Sequence, residues 1–266
     1  SVLQSKDPDI FFFFYFKPKN KSTTAEYLDY VMGGGMPKLM LFKNDILDDR
    51  KLTRKLYSSS YIDTTFSKSI ITESIDIIGL KLVFEYLSKY TSEVLNMANL
   101  ADNLSITVKT AKKYISILQS LHLVVLLRPI KNNAIAEMRS QPKVHVADTG
   151  LISSWFDNHE FNKLDGDTRG RLLETSIVNS IMAFNEYTFN RYVLKYFRNA
   201  TNEVDLVLEG KEFVIGIEIK NAAILKNEQY RGLVELEKYV KTKNKKFVGI
   251  IAYSGETYIK SEKTGF

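Results

Sequence analysis

Cysteine is absent from the 266 residues, which removes disulfides and thiolate zinc sites from consideration. Histidine is scarce: His122, His145 and His159 are scattered without metal-ligand spacing. No apolar run approaches the roughly 18 residues that a membrane-crossing helix requires. The aromatic run at residues 10–16 has neither the basic start nor the small-residue cleavage site of a signal peptide, so a buried strand or helix edge is expected there. The pattern Gly-x-x-x-x-Gly-Lys-Ser/Thr of a phosphate loop occurs nowhere. Gly33-Gly34-Gly35-Met36-Pro37 is therefore expected to be a tight loop between helices, and no ATP site is expected in this chain. The first residue is Ser1, not Met, so a boundary or a processing site is expected there.

What is present is ordinary globular composition, with 44% hydrophobic and 26% charged residues. The length suits two or three domains. A formal charge of +6 has the sign that suits a polyanionic partner. A soluble, cytoplasmic protein is expected.

The most informative stretch is 191–220. It reads as strands over 192–198, 203–208 and 212–220, separated by the turn formers Asn199-Ala200-Thr201-Asn202 and Glu209-Gly210-Lys211. Alternation along a strand places Glu203, Asp205 and Val207 on one face of the second strand. Val204, Leu206 and Leu208 take the other face. In the third strand, Gly216, Glu218 and Lys220 oppose Ile215, Ile217 and Ile219. Pairing of these strands brings Asp205 near Glu218 and Lys220. Two carboxylates suit Mg²⁺, which takes one or two of them plus water and phosphate oxygens. A lysine beside them can orient a metal-bound water or offset charge on phosphorus. A solvated strand face, with Lys220 paired to a nearby acid, is the other reading.

A third acid lies upstream. Residues 170–184 have helical spacing, and Leu173, Ile177, Val178, Ile181 and Met182 form the apolar face. At roughly 100° per residue, Glu174 falls within that stripe. A buried carboxylate must be paired, protonated or metal-bound. An auxiliary metal ligand and a buried ion pair, with Arg198 or Lys220 as the cation, both satisfy this.

Upstream, helices are expected over 45–57, 61–73 and 75–90, in a small bundle. A short helix at 96–102 and a turn at Ser105-Ile106 precede a helix capped by Thr107 and reaching residue 121. Val108, Ala111, Ile115 and Leu118 are expected to face inward, leaving Lys109, Lys112 and Lys113 outside. Segments 121–128 and 133–138 are expected to pair as a wing. This is the pattern of a winged helix-turn-helix, whose second helix can enter a major groove or serve only for packing. Three lysines without a base-reading arginine or glutamine favour phosphate contact. Residues 142–151 read as a strand ending in a turn capped by Asp148, with metal binding by Asp148 the lesser alternative.

Helix Glu174, then Asp205, then Glu218-Ile219-Lys220 in a meander followed by a helix, resembles the PD-(D/E)xK nuclease superfamily, the restriction-endonuclease-like fold. The superfamily's proline-aspartate stands here as Val204-Asp205. A longer resemblance carries Gly34-Gly35-Met36-Pro37, the helix-turn-helix, Pro142-Lys143-Val144 with Asp148-Thr149-Gly150-Leu151, Gly170-Arg171-Leu172-Leu173-Glu174, and Glu203-Val204-Asp205, in that order. It is similar to the C-terminal half of a bacterial and archaeal family of AAA-type ATPases. That family carries a winged helix and a nuclease-like domain behind the ATPase core.

The expected class is α+β, with a helical region at 1–91 (remnant or lid of an ATPase), a winged helix-turn-helix at 92–140 and a nuclease-like domain at 141–266. The resemblance implies Mg²⁺- or Mn²⁺-dependent phosphodiester hydrolysis on DNA. Asp205 and Glu218 are then metal ligands, Glu174 an auxiliary ligand and Lys220 the charge stabiliser. A non-catalytic DNA-binding or regulatory module of an ATPase is the alternative. The expected partners are DNA, an ATPase domain absent from this chain and, as an option, further copies of the chain.

The lysine triad gives a first expectation. DNA binding through Lys109, Lys112 and Lys113 is salt-sensitive and weakly sequence-dependent, and each lost phosphate contact lowers the log–log salt slope by about 0.9. Unchanged affinity and slope in the triple Lys→Ala variant, read by fluorescence anisotropy on duplex DNA, would make this helix a packing element.

Overall fold

The computed structural model describes residues 24–36, 50–69, 75–153, 160–188 and 192–254. The aromatic run at 10–16, Pro37, the outer parts of the segments expected at 45–57 and 61–73, and His159 lie outside them. The described residues comprise nine α-helices and a six-stranded mixed sheet. They divide into two compact units. One is formed by Thr23–Leu126 with Pro142–Ser176, the other by Leu127–Gln141 with Ile177–Phe266. No described helix is long and apolar enough to cross a membrane.

The first unit is mostly helical: α1 (Thr24–Gly33), α2 (Arg50–Ser69), α3 (Ile77–Lys89), α4 (Met97–Asn103) and α5 (Val108–Ser120). Two helices were expected where α2 runs unbroken through Ser58-Ser59-Ser60. The reason lies in packing. Ser58, Ile62 and Phe66 are buried at four-residue spacing, one stripe along the helix. Ser58 Oγ also donates to Gly150 O at 3.2 Å, so a residue of low helix propensity is used for a contact. Phe66 meets Phe84 of α3 edge-on at 6.0 Å. Asp76 caps α3 by accepting from Ile78 N at 3.0 Å.

The helix-turn-helix pair stands as its caps indicate. Asn96 accepts from Ala98 N and Asn99 N to start α4. Ser105 makes the turn at φ 53°, and Thr107 Oγ1 accepts from Thr110 N at 3.1 Å to start α5. Ala111, Ile115 and Leu118 are buried with Tyr114, whereas Lys109, Lys112 and Lys113 are exposed. Val108, expected inward, is 40% exposed: it opens the helix, almost a full turn ahead of the first buried position.

The wing is a correction. Strand β1 (Val124–Pro129) forms, but its expected partner at 133–138 is instead the helix α6 (Ala134–Arg139). Asn133 Oδ1 accepts from Ala136 N at 2.9 Å, and the segment that follows is rich in Ala, Glu, Met and Arg, all good helix formers. Strand β1 pairs in parallel with β3 (Val193–Arg198) instead, through Arg128 and Pro129.

The turn after β2 (Lys143–Val146) explains two of the motifs quoted above. Asp148 Oδ1 accepts from Gly150 N at 2.7 Å, and Oδ2 accepts from Gly35 N at 2.8 Å. The cap expected of Asp148 thus closes its own turn, ahead of α7 (Thr149–Ser153), and also fastens the loop after α1. Burial raises its pKa, opposed by these backbone hydrogen bonds. Gly34 has φ +72°, and a Cβ there would lie within 1.8 Å of Asp148 Oδ1. A Cβ on Gly150 would lie 2.4 Å from Gly33 O. Close packing of backbone on backbone explains the glycines, with no phosphate required.

The long helix α8 (Gly166–Tyr187) leads into the second unit. There β3, β4 (Glu203–Glu209) and β5 (Phe213–Lys220) form an antiparallel meander, with bounds within a residue of those expected. Asn199 Oδ1 accepts from Thr201 N and Asn202 N in the first turn. Helix α9 (Arg231–Lys241) then crosses over to β6 (Lys246–Tyr253), which runs parallel to β5. The strand order is β2-β1-β3-β4-β5-β6. Leu233, Leu236 and Val240 of α9 pack on Phe197, Val204, Val207 and Val214. Gly216 and Gly232 permit this closeness: their Cβ atoms would lie 2.7 Å from Leu236 and 2.1 Å from Glu203 O, respectively.

Two glycines separate steric need from tolerance. Gly34→Ala is expected to lower stability by at least about 1–3 kcal/mol, the cost of a non-glycine residue held at positive φ, with the clash on Asp148 in addition. At Gly170, inside α8, an added Cβ meets nothing within 4 Å. Gly170→Ala is expected to gain about 0.4–1 kcal/mol. Urea denaturation of both variants reads the opposite signs.

Candidate active site

Asp205, Glu218 and Lys220 are brought together as the strand reading expected, but by a different local geometry. Between β3 and β4 the register shifts: Lys195 pairs with Val207, and Phe197 with Val204. Asp205 and Leu206 therefore face the single residue Tyr196, a β-bulge. The strict alternation expected for β4 breaks here, and Val204 and Val207 both enter the core under α9. On the other side of β4, Leu206 pairs with Ile217. One step further, Asp205 lies opposite Glu218. Extra residues of this kind are common beside active sites, where they re-aim a side chain.

Asp205 and Glu218 are only 7% and 6% exposed. Ile219 N–H donates to Asp205 Oδ2 at 2.8 Å. Lys220 Nζ lies 2.5 Å from Glu218 Oε1 and 4.0 Å from Asp205 Oδ2. The lysine is half-buried, so one side of the cluster reaches solvent. Two adjacent buried carboxylates repel, and desolvation of each is costly. One ammonium offsets part of that charge, and a divalent cation suits the remainder. The donor set suits Mg²⁺ or Mn²⁺, since two adjacent hard carboxylates on an apolar sheet match the oxygen ligands such an ion takes.

Glu174 sits in the first unit, on the buried side of α8 as its position in the stripe indicated. Its carboxylate receives Lys143 Nζ at 2.9 Å. Lys143 is 2% exposed, and it is the cation that the sequence reading missed. The available signal was partial: an acid inside an apolar helical stripe needs a cation, and Lys143 opens the apolar strand Lys143–Val146. His145 Nε2 stands 3.9 Å from the same Glu174 oxygen, and its Nδ1 is 3.5 Å from Thr175 Oγ1. Thr175 in turn bonds Thr91 Oγ1 at 2.9 Å, which accepts from Val146 N. Burial first, then the nearby Lys143, pushes the His145 pKa well below its ordinary value. Among the described residues, no group of three or more His, Asp or Glu is placed to hold a metal ion.

Comparison with known proteins adds two matches. A family model described as a domain of unknown function, DUF8612, matches residues 24–161. A second, described as a domain of unknown function, DUF4143, matches residues 169–264. The latter domain is often found in the C-terminal region of AAA-ATPase-associated proteins. No curated protein matches the chain. No solved structure matches it either.

The buried cluster around Glu174 sets a pH dependence. His145 is neutral in the folded state, while the unfolded chain takes up a proton below about pH 6.5. Its contribution to stability is therefore complete above pH 6.5 and is lost as pH falls, by about 1.4 kcal/mol per pH unit at the limiting slope. Lys143→Met, which removes the ammonium bonded to Glu174, is expected to cost up to about 3–5 kcal/mol. Lys143→Met combined with Glu174→Leu should recover most of it. Chemical denaturation from pH 7.5 to 5 checks both, with His145→Gln as the variant that flattens the slope.

Proposed function

We propose, for a chain that belongs to the DUF8612 family, that its second unit is a metal-dependent phosphodiesterase acting on DNA. The observation that carries this reading is the meeting of Asp205, Glu218 and Lys220 at a β-bulge. Helix, three-stranded meander and second helix follow one another around it, the order on which the resemblance to PD-(D/E)xK nucleases rests. Asp205 and Glu218 would hold Mg²⁺ or Mn²⁺. The ion would supply Lewis acidity and an activated water when bound. Lys220, already next to both carboxylates, offsets negative charge building on the phosphorus oxygens. The bonds of Asp205 to Ile219 N–H and of Glu218 to Lys220 hold the two acids in fixed orientation. The apolar sheet under them keeps the local dielectric low, which strengthens each of these interactions.

A second reading has its own support. The region matching DUF4143 belongs to a domain common beside AAA-type ATPases, and the exposed lysines of α5 suit phosphate contact without chemistry. In that reading the chain is a DNA-binding regulatory module, and the Lys220 cluster is a structural ion pair.

Lys220→Ala separates the two. The full chain with Mg²⁺ or Mn²⁺ is expected to nick supercoiled DNA, and the substitution to cut the rate by roughly 10²–10³-fold, the scale for losing one electrostatic stabiliser. Asp205→Ala should also abolish Mg²⁺ binding measured by calorimetry. Equal metal binding by wild type and Asp205→Ala, or no cleavage by wild type alone and with an added ATPase partner, would leave the regulatory module standing.

A further inference from the structure

The first unit also holds a groove that the nuclease reading does not use. One wall is the exposed edge of α3, where Tyr86 and Tyr90 lie one helical turn apart. Their ring centroids are 4.6 Å apart with planes inclined at 41°. Both residues are half-buried, and both line the groove. The facing wall is α4, which contributes Asn96, Asn99 and Asn103, and the floor is apolar and includes Val144. The groove is open to solvent along one side and has a volume of about 230 Å³.

The chemistry of these walls is selective. Tyrosine faces stack flat rings, and such stacking tolerates any base. Carboxamides offer both a donor pair and an acceptor, which match the mixed edges of a nucleobase. Asn103 Nδ2 donates to Asn99 O at 2.7 Å, which orients its carbonyl oxygen. Asn99 makes no side-chain hydrogen bond among the described residues. Glu93, the acid at the groove, is bonded by Arg171 at 3.1 Å, so its charge is partly offset. Lys89 Nζ sits 5.8 Å from the Tyr90 ring centre, a cation at the rim where a phosphate attached to a stacked ring would emerge. The volume admits a ring system of nucleobase size.

We propose that this groove binds a single unpaired nucleobase, stacked on Tyr86 and Tyr90 and held at its edge by Asn99 and Asn103. The base comes from single-stranded nucleic acid or from a free nucleotide, and the two share this chemistry. The site stands independently of the Asp205 cluster, so it survives if the nuclease reading fails.

Fluorescence anisotropy of the full chain with labelled oligothymidylate tests it, beside an abasic strand of equal length and thymidine monophosphate as competitor. Wild type is expected to bind oligothymidylate more tightly than the abasic strand. Tyr86→Ala with Tyr90→Ala should weaken oligothymidylate binding by about 5- to 100-fold, the range for one lost base–aromatic stack, and leave abasic binding unchanged. The double Tyr→Phe variant should bind as wild type, since the stacking face persists. Asn99→Leu, a surface change that leaves the fold intact, should weaken binding too and decides the matter if the double alanine variant unfolds. Competition by thymidine monophosphate at its own low concentration assigns the site to free nucleotides, and its failure to compete assigns it to strands. Equal affinity for abasic and base-bearing strands, or unchanged binding in both the alanine and Asn99→Leu variants, overturns the proposal.

Discussion

The pairing of β4 with β5 is the constraint on which the second unit depends. It sets Leu206 against Ile217 and Val207 against Gly216, and this register decides what lies under α9. Gly216 leaves the space that Leu233 and Leu236 fill, so the helix lies close to the sheet. The same register carries Asp205 to Glu218. A slip of one residue would turn Glu218 and Lys220 to the opposite face and break the core as well. Core packing and the acidic cluster are therefore specified by one set of backbone hydrogen bonds.

In the first unit, Asp148 has a comparable role. Its carboxylate holds both the loop after α1 and the turn ahead of α7, two stretches more than a hundred residues apart in sequence. Gly34 and Gly150 are small because the carboxylate and the opposing backbone occupy the space a side chain would need. Motif residues that suggest ligand binding are here accounted for by packing and by the hydrogen-bond capacity of one acid. A carboxylate so placed is a structural fastener.

Much of this was legible in the chain itself, for identifiable reasons. Strands β3 to β5 are bounded by turn formers such as Asn199 and Gly210, and α4 and α5 by capping Asn96 and Thr107, so their limits followed from local chemistry. The bulge at Asp205 was not legible, because it arises from how β3 and β4 pair and not from composition. The helix at Ala134–Arg139 was read as a strand for a similar reason. A six-residue segment carries too little periodicity to tell the two apart, and the cap at Asn133 was the one local signal. Lys143 was missed because a strand-borne lysine is ordinarily exposed, whereas here Glu174 compensates its burial. The proximity of Lys220 to Glu218 followed from alternation along β5, and that of Asp205 from the pairing of β4 with β5.

Strand β5 is bonded along both edges, to β4 on one side and to β6 through eight successive residue pairs on the other. Such a strand cannot fray alone: releasing any central amide requires parting two ladders and lifting α9 from the apolar face beneath it. Its slowest exchanging amides should therefore report global opening, as core strands generally do. The Ile219 N–H, which holds Asp205, lies just beyond the stretch paired with β4, where β5 is still registered with β6. Asp205 and Glu218 thus sit at the margin of the doubly paired core, one residue beyond the stretch whose opening takes the whole sheet with it.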